Sequence, residues 1–347
     1  MSIISLVASL FGVSEEPDVG KDLPERVRAV IPETVDLIVE TIDPRLKLVP
    51  DYQEKLGAGV CHTVSYLRSL VPNPPPPIEL SQTAWGTDPR VNAFFAAAED
   101  VPRIMGRSKE LRAFFDDPEH AGVAEAVAML GMEMREQNVL GVAMEGGMLK
   151  HDVAQTTVSF TDHRIVMPAR TLADTRFELG RRILRGLTQI ALRNIEAIQS
   201  RQQDLEETRG RLSTKLRVLE GRKSGLESLA EDPDAHQGEI EALQRELEQT
   251  QSQITDTKLS LSTLDGYIDQ VNDVLTHPEQ HVKFEVFRLR VNRMGIKVAE
   301  DSSEPASDLT LGRISVGEIT RVVAAVTCAR HAMPPKEDLL AQAARYL

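Results

Sequence analysis

The sequence predicts a mainly α protein: helical lobes plus a long antiparallel coiled-coil hairpin, with a small β element at its base, a hairpin and a returning strand. Three observations predict it. Leucine and isoleucine recur every seven residues through two long runs, the repeat that winds helices around one another. Prolines divide the N-terminal part into short apolar-periodic segments of about three turns each. Period-two alternation, the mark of strands, is confined to two stretches, 154–168 and 282–298.

Composition sets the bounds. The 347 residues are 41% hydrophobic and 27% charged, a globular balance, and the length suffices for two or three packed units. No apolar run approaches the ~18–20 residues of a membrane span. Two cysteines, Cys61 and Cys328, exclude a disulfide-stapled scaffold and a multi-cysteine zinc module. A net charge of −13 opposes binding to nucleic acid and anionic lipid unless basic residues cluster.

Residues 1–20 read as an amphipathic helix and an acidic linker. Ile3, Ile4, Val7, Leu10 and Phe11 form a stripe with serines opposite, suited to packing on the chain itself or on a second copy. The first basic residue is Lys21, so a secretory signal is not expected and a cytoplasmic residence is. The polar face carries no lysine or arginine, which weighs against a membrane surface. Residues 21–72 form a small helical region, and the Pro-rich stretch 73–77 reads as a stiff connector.

Residues 78–150 are expected to form a helical lobe, with helices near 89–98, 100–105, 107–115 and 119–137. Five methionines from Met129 to Met148 give it a soft core, or an adaptable groove for a partner. Gly146 and Gly147 then interrupt the pattern. A β-hairpin is expected over 153–169, with Thr161, Asp162, His163 and Arg164 as its turn.

The helical hairpin covers 171–277. Leu184, Ala191, Ile198, Leu205, Leu212, Leu219 and Leu226 make the first seam. Ile240, Leu247, Ile254, Leu261, Ile268 and Leu275 make the second. Pro233 and a capping-box spacing from Asp234 to Gln237 put the tip at about 231–238. The companion positions of the first arm are largely polar (Asn194, Arg201, Thr208, Lys215, Arg222), which points to contacts beyond the hairpin. The C-terminal α/β segment, 278–347, is expected to hold the returning strand, a short strand near 309–316, a helix near 317–331 and a last helix after Pro335.

Two basic stretches are expected to meet at the hairpin base. Arg176, Arg181, Arg182 and Arg185 come from the first arm, and Lys283, Arg288, Arg290 and Arg293 from the returning strand. Such a patch suits an acidic surface of the same chain or of a second copy, and less readily a phosphate polymer. Few aromatic residues lie among them for base stacking.

Catalytic signatures are missing from the sequence. It holds no phosphate-cradling glycine loop, no nucleophile elbow and no His-Glu-x-x-His. His277 and His281 are four apart but have no evident third ligand, and Cys61 with His62 and Cys328 with His331 read as core cysteines beside ordinary histidines. The expectation is a non-enzymatic structural or scaffold protein, without cofactor or metal. It would self-associate through the N-terminal stripe, the hairpin (Ile198 included) and complementary charge. An adapter gripping a different protein by the hairpin is the alternative, with a nucleic-acid-associated protein behind it and a membrane surface the weakest partner.

Overall fold

The computed structural model describes residues 28–71, 75–145, 148–224, 237–300, 302 and 304–335. Ile3, Ile4, Val7, Leu10, Phe11, Leu226, residues 231–236 of the hairpin tip, 73 and 74 of the connector and the helix expected after Pro335 lie outside the described residues. The chain divides into two compact units.

One unit is built from Leu67–Ile183 and the chain from Glu279 onward, and it corrects the expected fold class. Its centre is a six-stranded sheet and not a small β element. The strands are β1 (Ile78–Leu80), β2 (Glu125–Glu145), β3 (Met148–Ala169), β4 (Val282–Val291), β5 (Ser307–Val316) and β6 (Ile319–Ala329). They run in the order β3-β2-β6-β5-β4, all antiparallel, with β1 added in parallel to the far end of β6.

Two expected helices are strands. The stretch read as a helix at 119–137 falls largely in β2, although Glu, Ala, Met and Leu are strong helix formers. Pairing with β3 and β6 overrides that preference, and Ala126, Ala128, Leu130 and Met132 point inward at period two, each fully buried. The stretch read as a helix at 317–331 is β6. Val322, Val326 and Cys328 are buried on one face, but the half-exposed face also carries apolar Val323, Ala325 and Ala329, so the sequence lacks the clean alternation that marks a half-buried strand.

The sheet closes on itself. After β4, residues 292–295 make a tight turn in which the Asn292 side-chain oxygen accepts from Met294 N at 2.9 Å and Ile296 N at 3.0 Å. Residues 296–298 then bond on both sides: Val298 N to Arg290 O of β4 at 2.9 Å, and Lys297 N to Thr156 O of β3 at 2.8 Å. Gly295, at φ +73°, accepts from Val158 N at 2.7 Å. The interior is filled by Leu130, Met132, Phe160, Ile165, Leu289, Leu311, Val322 and Val326.

Four short helices join this core: α3 (Gln82–Thr87), α4 (Pro89–Phe94), α5 (Asp100–Arg107) and α6 (Lys109–Asp116). Ser81, Asp88 and Ser108 cap three of them with side-chain oxygens. Phe94 meets Phe160 edge-on at 5.3 Å, and Ser108 Oγ donates to Ile165 O at 2.6 Å, pinning α6 to β3.

The other unit takes the described residues up to Tyr66 and Leu184–Pro278. It contains α1 (Ile31–Ile42) and most of α2 (Tyr52–Leu70). With them are the larger part of α7 (Leu172–Ser224), then α8 (Gln237–Leu261) and α9 (Leu264–Thr276). The second arm is therefore two helices, because Thr263 caps a new start by accepting from Gly266 N at 3.2 Å. Tyr52 donates to Asp36 at 2.8 Å between α1 and α2, and Thr63 to Leu275 O at 2.6 Å between α2 and α9. Gly59 permits that second approach, since a Cβ there would lie 2.6 Å from Asn272 Oδ1.

Candidate interaction surfaces

β2 and β3 pair from Val127↔Ala169 out to Glu145↔Met148, but β6 accompanies β2 only as far as Met132. Beyond that rung the pair keeps only residues 295–297 beside β3 as far as Thr156, opposite Asn138, and then continues as a two-stranded ribbon. Its exposed side chains include Leu140 (72%), Val142 (48%) and Val139 (38%). Residue 139 faces one side of the ribbon and residues 140 and 142 the other, so each face carries exposed apolar side chains. Sequence reasoning missed this element. Gly146 and Gly147 between two apolar runs were the available hairpin signal.

Three bulges shape the ribbon and its root. The β2–β3 register shifts between Val127 and Met129, between Gly131 and Glu133, and between Gly141 and Ala143. Each time β3 carries the extra residue, and each shift has a left-handed residue beside it: Met167 (φ 56°), Asp162 (φ 48°) and Asp152 (φ 58°). The expected hairpin turn at 161–164 is the second of these bulges within a continuous strand, which is why a polar cluster there resembled a turn.

The root is anchored by charge. Glu110 accepts the Met167 amide at 2.8 Å and pairs with Arg182 at 2.5 Å. Burial works to raise the Glu110 carboxyl, but Arg182 and the amide outweigh it and hold it below the ordinary carboxylate value. Asp162 bonds Arg164 at 3.1 Å and Arg321 of β6 at 2.8 Å. His163 stacks on Phe95 at 4.8 Å and contacts Phe94 O at 2.7 Å, and burial pushes its imidazole pKa down.

The helical hairpin closes within the chain. Leu219, Ile240 and Leu243 form a buried cluster with Leu212 and Leu216 against it. Crossing pairs run in opposite directions along the two arms: Lys215–Glu239 at 3.0 Å, Arg209→Gln251 at 3.3 Å, Glu206–Lys258 at 2.9 Å and Gln199→Tyr267 at 2.8 Å. The polar companion position Lys215 thus finds its partner across the seam. Leu184, Ala191, Ile254, Ile268 and Leu275 are buried, while Ile198, Leu205, Leu247 and Leu261 are half-buried.

Several of the expected basic-patch residues are engaged separately. Arg176 donates to Val71 O at 2.6 Å, and burial lowers its pKa with Arg68 adding to the effect. Arg181 pairs with Glu178 at 3.1 Å, and Arg182 with Glu110. Arg290 donates to Glu300 O at 2.9 Å and Ser302 O at 3.3 Å. Arg185, Lys283, Arg288 and Arg293 are exposed.

Chemistry-bearing side chains are dispersed. Cys61 and Cys328 are free, and burial raises both thiols, that of Cys328 to about 12, which suppresses the reactive thiolate. His277 Nδ1 lies 3.0 Å from Asp273 O. Among the described residues no group of three His, Cys, Asp or Glu side chains is placed to hold a metal ion, and no helix is long and apolar enough to cross a membrane. No protein family, curated protein or solved structure matches this chain.

Proposed function

We propose that this chain is a non-enzymatic scaffold protein that self-associates. The observation that carries the reading is the β2–β3 ribbon. A two-stranded hairpin is marginal in water by itself, yet this one extends past β6 with Val139, Leu140 and Val142 exposed. Apolar side chains on both faces are better accommodated by association than by solvent. The seam of the helical hairpin is occupied from within the chain, so the ribbon takes over the role first expected of the coiled coil. Cytoplasmic residence belongs to the same reading and is supported by two free cysteines.

Absolute mass by light scattering during size exclusion, at micromolar concentration and moderate salt, tests this directly. The expected result is a discrete oligomer whose mass does not follow salt strongly. A 38 kDa species at every concentration would overturn the proposal.

A further inference from the structure

The two edges of the ribbon differ in a way that identifies which of them is made to pair. Natural sheets protect open edges with charges, prolines and bulges, because unpaired amides and carbonyls recruit other strands. The β3 edge of the ribbon is protected in this manner. Residues 150–152 are Lys, His and Asp, and Asp152 sits in a left-handed bulge. The β2 edge is not protected. From 137 to 144 it reads Gln, Asn, Val, Leu, Gly, Val, Ala, Met, with no charge, no proline and a single register shift whose extra residue lies on β3. Among the described residues no strand other than β3 pairs with β2 beyond Met132.

We infer that the β2 edge at 137–144 pairs antiparallel with the same edge of a second copy, about a twofold axis at Leu140. This rests on the self-association reading and assigns its surface. An antiparallel pair of identical strands is the isologous contact of a closed dimer, and the edge continues the one on which β6 already pairs. Charge favours this register over the one centred on Val139, and this register alone places an opposite charge across the axis from Glu145. Centred on Leu140, Arg135 of one copy stands opposite Glu145 of the other, whereas centring on Val139 would set Glu133 opposite Glu145. In the chosen register Val142 faces Asn138, and Leu140 faces itself.

The test uses the full chain in a Cys61→Ser background. Leu140→Cys should form a covalent dimer under mild oxidation, while Arg135→Cys, which faces residue 145 and not itself, should not. Leu140→Lys should weaken the dimer at least tenfold with the circular dichroism spectrum unchanged, since the side chain is mostly exposed in one chain. Arg135→Glu and Glu145→Arg should each weaken it, and the double exchange should restore it. An oligomer whose mass ignores Leu140→Lys, or one that cross-links at 135 but not at 140, overturns the assigned edge and leaves self-association standing. A monomer at all concentrations removes both.

Discussion

The amide of Val158 meets the carbonyl of Gly295 at 2.7 Å, and with that bond the sheet returns to its outermost strand. Gly295 is at φ +73°, and a Cβ there would lie 2.8 Å from Val158 O. Gly295→Ala should therefore cost about 2 kcal/mol in urea unfolding. Asn292→Ala, which removes the turn's side-chain acceptor, should cost about 1 kcal/mol. Met294→Ala, on an exposed side chain of the same turn, should be nearly neutral. Gly295→Ala and Asn292→Ala as neutral as Met294→Ala would mean that the closure contributes nothing to stability.

Two glycines on helices should respond to alanine with opposite signs. In α2, a Cβ at Gly59 would meet Asn272 Oδ1 at 2.6 Å and Leu275 Cβ at 2.9 Å. Gly59→Ala should destabilise by about 2 kcal/mol through overpacking. In α7, Gly210 has nothing within 4 Å of the same position. Gly210→Ala should stabilise by about 1 kcal/mol through helix propensity alone. Thermal melts of the two variants settle the matter, and a stabilising Gly59→Ala would refute the close α2–α9 approach.

Arg330 organises the loop ahead of β2. Its guanidinium donates to Val123 O at 2.9 Å, Phe115 O at 2.7 Å and His120 O at 2.5 Å, and lies 4.7 Å from the Phe115 ring centre. Lysine keeps the charge but cannot reproduce the planar fork. Arg330→Lys should cost about 2–3 kcal/mol. Full stability in that variant would show that charge, and not the three carbonyl bonds, is what matters.

Acid should loosen the root of the ribbon through Glu110. Its folded pKa is depressed, so its contribution is fully present above the unfolded value of about 4.3 and is lost as pH falls through the folded value. The stability gap between the parent chain and Glu110→Gln should be widest near neutral pH and shrink below about pH 4. Urea titrations at several pH values measure it. A gap that is constant across that range would show that the Glu110 charge is not coupled to folding.

The antiparallel helical arms were legible because a heptad repeat is a local property of the sequence, readable without knowing what it packs against. The break at Thr263 was harder to see, since Leu261, Ile268 and Leu275 keep the seven-residue spacing across it. The sheet was largely illegible for a different reason. Ala126 and Ala128 pair with Cys328 and Val326, so β2 depends on partners far along the chain, and its own residues favour helix. β4 was readable because Phe287, Leu289 and Val291 alternate with polar neighbours. Within the expected basic patch, Arg176 and Arg290 turn to backbone carbonyls, which no charge pattern reveals.

The interruption of the sheet by the helical arms also has a consequence in time. Glu125 of β2 pairs with Ala329 of β6, which leaves a ribosome some 10–40 s after β2, at about 5–20 residues per second over roughly 200 intervening residues. Throughout that interval β2 has β3 on one side and, among the described residues, no strand on the other. The arms fold from nearby contacts and shorten the gap, yet nascent chains on one message would present the same open strand to one another. The proposed partnering between copies would therefore begin before either copy is complete, and β6 would then set its limit at Met132.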